Sequence, residues 1–166
     1  MAEPLRILFA GGGTGGHLYP GLAVAAELRA MAPEADIVFY VTRRSIDRHV
    51  LEGQPYRTQY EDARGFSSRP WHWPAFVLKL MENLGRARHY LREFQPQAVI
   101  GLGGFGSYAA VRAAQKLGLP NFLLNPDLIV GRANRKLAVG ATGVFCQFDE
   151  TTRSLRTGGR VEVVGC

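Results

Sequence analysis

At 166 residues the chain suits a single domain with one large core, and its 46% hydrophobic and 20% charged content excludes general disorder. A net charge of +6 points to acidic partners, meaning nucleic acid, anionic lipid or a phosphorylated substrate, without choosing among them. No run reaches the roughly 18 apolar residues of a membrane span, and the opening MAEPLRI lacks the basic-then-apolar order of a signal peptide. Cys146 in an apolar run and Cys166 at the end read as reduced thiols, so a cytoplasmic chain with at most peripheral membrane contact is expected.

The first predicted element is an apolar strand over 5–10 that runs into GGGTGG, residues 11–16. A helix over 20–31 follows, with Pro20 in its first turn and Gly21, Val24, Ala25, Leu28 and Met31 along one face. DIVFYVT (36–42) is apolar on both faces, as a central parallel strand should be. Arg43, Arg44 and Ser45 then open a polar loop and a short helix that ends near Leu51. A strand is possible over 56–60, and an irregular segment leads to Pro74.

Phe76, Val77, Leu80, Leu84, Ala87 and Leu91 recur at three and four, which predicts a helix of about 18 residues ended by Pro96. A strand over 98–102 enters a second glycine loop, GLGGFGS (101–107), before a helix over 108–117 capped by Gly118. Strands over 121–124, 143–148 and 161–164, with a short helix over 132–138, complete the series. This alternation predicts an α/β fold, a Rossmann-like doubly wound parallel sheet with ligand sites at the C-terminal ends of its strands. The sequence stops at a strand, VEVVGC, with no closing helix, so one half of something larger is expected.

Each glycine loop joins a strand end to a helix start, where positive φ and bare backbone let N–H groups and the helix dipole face an anion. Gly11, Gly13 and Gly16 satisfy G-x-G-x-x-G, and Arg43 and Arg44 at the second strand's end could hold a 2′-phosphate, which makes an NADP-binding oxidoreductase domain a legitimate reading. Two features count against it. His17 puts a bulky polar side chain where a pyrophosphate needs close backbone, and the second loop has no part to play in nicotinamide binding. Two such loops on one sheet edge would instead hold two phosphates, or a diphosphate and a sugar. His17 is the first loop's one residue able to take a proton near neutral pH; as a structural residue it would cap backbone groups of the neighbouring loop.

GGGTGGHLYPGLAVAAEL (11–28) and IGLGGFGSYAAVRAAQKLGLP (100–120) closely resemble the two N-terminal glycine loops of the MurG family, the UDP-N-acetylglucosamine transferases that make lipid II from lipid I in peptidoglycan synthesis. The resemblance covers essentially the whole chain. It implies the acceptor-side N-terminal half of a two-domain GT-B enzyme of glycosyltransferase family 28. The partner is then a C-terminal domain, in the same chain or separately encoded, that holds UDP-GlcNAc. It also implies an inverting transfer that needs neither cofactor nor metal, with His17 as the base that deprotonates the acceptor's 4-hydroxyl. Substrate contacts fall by resemblance on Gly13, Thr14, Gly15 and Gly16, on Gly103, Gly104, Phe105 and Ser107, and on Asn125, Asp127 and Asn134.

The chain departs from that family's pattern at one place. Leu124, Asn125, Pro126 and Asp127 stand where the family usually has His-Glu-Gln-Asn, while Gly131 and Asn134 still match. Asp127 could accept from a sugar hydroxyl, but it would repel a diphosphate. The segment 69–92 interleaves Trp71, Trp73, Phe76, Leu80 and Met81 with Arg69, Lys79, Arg86, Arg88 and Arg92, the pattern of a helix on an anionic lipid surface. Membrane contact is accordingly expected at Trp71, Trp73, Phe76, Lys79 and Leu80, on the inner face of the cell membrane; the alternative is that the aromatics pack inward and the arginines are merely solvated. Nucleic acid is not an expected partner, because the basic residues are scattered and no recognition motif occurs. Besides the NADP reading, a non-catalytic acceptor-binding subunit remains the rival.

Overall fold

The computed structural model describes residues 3–61 and 73–165. Trp71, Arg69 and Cys166, and the side chain of Trp73, lie outside the described residues. Strand β1 (Arg6–Gly11) pairs in parallel with β2 (Asp36–Thr42) on one side and with β4 (Ala98–Gly103) on the other. Outward from β2 lies β3 (Arg57–Glu61); outward from β4 lie β5 (Asn121–Asn125), β6 (Gly143–Cys146) and β7 (Arg160–Val163). Among the described residues the sheet is therefore parallel throughout, in the order β3-β2-β1-β4-β5-β6-β7. The chain winds out from β1 one way, then returns to its other flank. That reversal leaves a crevice beyond the C-terminal ends of β1 and β4, where doubly wound sheets bind ligands.

Helices cover both faces, which is why the strands read as unbroken apolar runs. Ile7, Phe9, Ile37, Phe39, Val41, Ile100 and Leu102 pack under α1 (Gly15–Met31) and α2 (Ser45–Leu51). On the opposite face Leu8, Ala10, Val38, Tyr40, Val99 and Leu123 meet α3 (Trp73–Phe94), α4 (Phe105–Lys116) and α5 (Arg132–Ala138). A four-residue helix not expected from the sequence, α6 (Asp149–Thr152), follows β6.

The helix starts differ from expectation. Helix α1 begins at Gly15, so Pro20 lies inside it, and Leu18 joins Gly21 and Ala25 on the buried face. The turn itself consumes only Gly12 and Gly13, both at positive φ, which frees the remaining glycines for helix. Pro20 withholds its N–H from the carbonyl of Gly16, the one intrahelical bond that a proline at this position removes. Met31, expected on the inner face, is 83% exposed at the helix end. In the same way α4 starts at Phe105, directly after Gly104, rather than at 108. Gly118 has the left-handed φ of 70° expected of a C-terminal cap. No helix among the described residues is long and apolar enough to cross a membrane.

Candidate functional site

The two glycine loops touch at the crevice. Gly12 and Gly13 (φ 124° and 93°) and Gly103 and Gly104 (φ 100° and 72°) adopt backbone that residues with a Cβ avoid. A Cβ on Gly104 would stand 2.6 Å from the Gly12 carbonyl oxygen, and one on Gly103 would stand 2.6 Å from Cδ2 of His17. A Cβ on Gly106 would likewise come within 3.1 Å of the Gly11 carbonyl oxygen. The loops are thus two walls of one site.

His17 is the third residue of α1, and its side chain is 18% exposed. Its Nδ1 lies 2.5 Å from Thr14 Oγ1, and its Nε2 lies 3.5 Å from Asp127 Oδ2. Thr14 occupies the N-cap position of α1, yet its hydroxyl serves the imidazole and makes no cap hydrogen bond. The ring rests against Gly103, but its polar contacts are with Thr14 and Asp127, so it does not cap the second loop's backbone. Asp127, half exposed, reaches the imidazole from the β5–α5 loop. Gly15 and Gly16 are first-turn residues of α1, whose N–H groups have no carbonyl one turn earlier to bond.

Three other residues expected to touch substrate have buried side chains. Ser107 is fully buried, and its hydroxyl donates to the Gly104 carbonyl at 2.9 Å. Asn125 is buried as well, donating to the Asp127 carbonyl at 2.6 Å and accepting from Asn134 Nδ2 at 3.1 Å. Asn134, also buried, donates in addition to the Leu124 carbonyl at 3.3 Å. The Ser107 hydroxyl, the Asn125 amide and the Asn134 Nδ2 thus brace the backbone beside the site, while Asn134 Oδ1 is buried without a hydrogen-bond partner.

One residue of this site went unnoticed in the sequence. Asp47, on α2, is wholly buried, accepts the Gly13 N–H at 2.6 Å and receives the Thr42 hydroxyl. Arg44 Nη1 donates to the Gly13 carbonyl at 3.3 Å. Gly13 is thereby held on both sides, and its N–H is unavailable to a ligand, which a dinucleotide's pyrophosphate would require of this turn. Asp47 sat within a short polar helix, SIDRHVL, where a carboxylate reads as a solvated face. Asp47→Ala is expected to lower stability by roughly 2 to 4 kcal/mol, since it strands a buried N–H and a buried hydroxyl that had a charged partner. Urea titration of the variant measures it.

Helix α3 presents two apolar faces. Val77, Leu78 and Met81 are exposed, Leu78 to 71%. Phe76, Lys79 and Leu80, expected on the lipid surface, line a cleft together with Phe105 of α4 and residues of α5. The sequence pattern mixed the two faces because adjacent apolar residues occupy both. Among the described residues, His, Cys, Asp and Glu nowhere gather in threes that could hold a metal ion.

Residues 7–146 match the glycosyltransferase family 28 N-terminal domain. The chain belongs to this family. Curated relatives of the domain include the UDP-N-acetylglucosamine--N-acetylmuramyl-(pentapeptide) pyrophosphoryl-undecaprenol N-acetylglucosamine transferase of Geobacter metallireducens, 36% identical over 150 residues, which are 90% of this chain and 41% of that protein. The enzyme of the same name from Thermodesulfovibrio yellowstonii is 33% identical over 148 residues, 89% of this chain and 40% of its own. The family-28 domain thus spans about two fifths of the length of these relatives. Its fold is that of Acinetobacter baumannii MurG, with a TM-score of 0.82 at 24% identity over 98% of this chain and 46% of that one. UDP-GlcNAc 2-epimerase from Neisseria meningitidis shares the architecture more distantly, with a TM-score of 0.63 at 14% identity over 92% of this chain and 42% of its own.

Proposed function

We propose that this family-28 domain is the acceptor side of an inverting transferase that moves N-acetylglucosamine from UDP-GlcNAc to a muramyl-pentapeptide carried on undecaprenyl diphosphate. The observation that supports it is the meeting of both glycine loops at His17, in the crevice of a sheet whose relatives carry that activity. The first-turn N–H groups of α1 and α4 face the diphosphate in this reading, as helix N-termini suit anions. A C-terminal domain, joined or separate, brings the donor nucleotide.

The chemistry needs one proton removed. Thr14 Oγ1 is close enough to accept a hydrogen bond from Nδ1–H, and that tautomer leaves the Nε2 lone pair as the base. The 3.5 Å between Nε2 and Asp127 is too long for a strong hydrogen bond, and a sugar hydroxyl entering there can meet both groups. Nε2 takes the hydroxyl proton as the oxygen attacks the anomeric carbon, the bond to UDP breaks, and UDP leaves from the opposite face. Asp127 then stands beside the imidazolium that forms, which its negative charge stabilises. In this reading the aspartate supports the base, in keeping with the expectation that it could accept from a sugar hydroxyl.

Exposed Val77, Leu78 and Met81, on a helix that also carries Arg86, Arg88 and Arg92, support docking on the inner face of the cell membrane. Two titrations of the chain test the reading against its rival. A polyprenyl diphosphate is expected to bind and NADPH is not. Tight NADPH binding lost in Arg43→Ala and Arg44→Ala would overturn the transferase reading.

A further inference from the structure

A cleft of about 340 Å³ opens between α3, α4 and α5. Phe76 and Leu80 form one wall, Phe105 and Ala109 a second, and Ala133 the third. Glu61 lies at its base and is buried, and the Tyr40 hydroxyl holds its proton more firmly because of its own burial and the nearby Glu61 charge. Lys79 on α3 and Arg132, Arg135 and Lys136 on α5 add positive charge. A largely apolar cleft with three cations on its α5 side fits an amphiphile with an anionic head and a hydrocarbon tail.

The cleft borders the glycine site through residues next to it in the chain. Phe105, in its wall, follows Gly104 directly, and Ala133 precedes Asn134, whose Nδ2 is 3.5 Å from where a Cβ on Gly103 would be. A ligand held by its diphosphate at the loops therefore has the cleft as its next surface.

We infer that this cleft holds the first isoprene units of the acceptor's lipid, with the α5 cations against the diphosphate. The inference rests on the reading that the acceptor is a polyprenyl diphosphate. It separates two roles of α3: Val77, Leu78 and Met81 meet the bilayer, while Phe76 and Leu80 grip the one lipid being processed. Each isoprene withdrawn from water against these walls contributes through its buried apolar area, and the tail demands no polar partner from the cleft.

The probe is farnesyl diphosphate, titrated into the chain without vesicles, with inorganic diphosphate and farnesol as comparisons. Farnesyl diphosphate is expected to bind at least tenfold more tightly than inorganic diphosphate, and farnesol more weakly than farnesyl diphosphate. Ala133→Trp, which fills the cleft, and Leu80→Asp, which charges the opposite wall, are each expected to remove that tenfold gain while inorganic diphosphate binds as before. Thermal melts identify which variants remain folded. Equal affinity of the unaltered chain for farnesyl and inorganic diphosphate would overturn the inference, as would undiminished farnesyl diphosphate binding by either folded variant. Failure of the unaltered chain to bind either diphosphate would count against the acceptor reading itself, whereas diphosphate binding without the farnesyl gain overturns the cleft alone.

Discussion

Replacing His17 by alanine, in the chain working with its donor-binding domain, is expected to cut transfer about 10²- to 10⁴-fold, the range that a positioned general base contributes. The loss should fall on kcat, because the ring's part in the proposal is to take a proton in the transition state, and donor affinity should hold. His17 also fills space against Gly103, so a rate loss could come from a loosened loop. His17→Gln answers that, since glutamine keeps bulk and hydrogen bonding without taking up a proton. Both variants should be comparably slow while retaining diphosphate affinity. An unchanged rate in either would remove His17 from the chemistry.

Gly104→Ala carries the second large expected effect. Its φ of 72° and ψ of 179° fall in a region open essentially to glycine alone, at a cost of about 1 to 3 kcal/mol for any other residue. The added methyl would also meet the Gly12 carbonyl oxygen at 2.6 Å, backbone that moves only if the first loop moves. Gly118→Ala is the control: its φ is 70°, yet a Cβ there meets nothing within 4 Å. Urea titration should show Gly104→Ala as the more destabilised of the two, and Gly104→Ala alone should weaken diphosphate binding, by tenfold or more. Equal behaviour of the two variants would mean that contact between the loops does not shape the site.

Much of this was legible because the apolar runs, the glycines and the doubly wound order are consequences of local chemistry. A run such as DIVFYVT has to be covered on both faces, and glycines at a strand end mark where backbone turns with positive φ. What was hidden depended on partners distant in sequence. Asp47 bonds a glycine 34 positions away and looked like an ordinary surface carboxylate. Ser107, Asn125 and Asn134 were singled out for a ligand, but only their tertiary surroundings decide that their side chains are buried and bond to protein groups. The same holds for Asp127, whose meaning changed once its carboxylate was found at Nε2 of His17. Helix starts were misplaced for a local reason, in that glycine and proline inside a first turn obscure where a helix begins.

The central claim is that both glycine loops engage one diphosphate-linked ligand beside His17. Amide NMR of the chain during titration with a short-chain polyprenyl diphosphate sugar tests it most directly. Gly15 and Gly16 of one loop and Gly103 and Gly104 of the other should shift together, with a single dissociation constant. Shifts confined to one loop, or two loops titrating with different constants, would contradict the account.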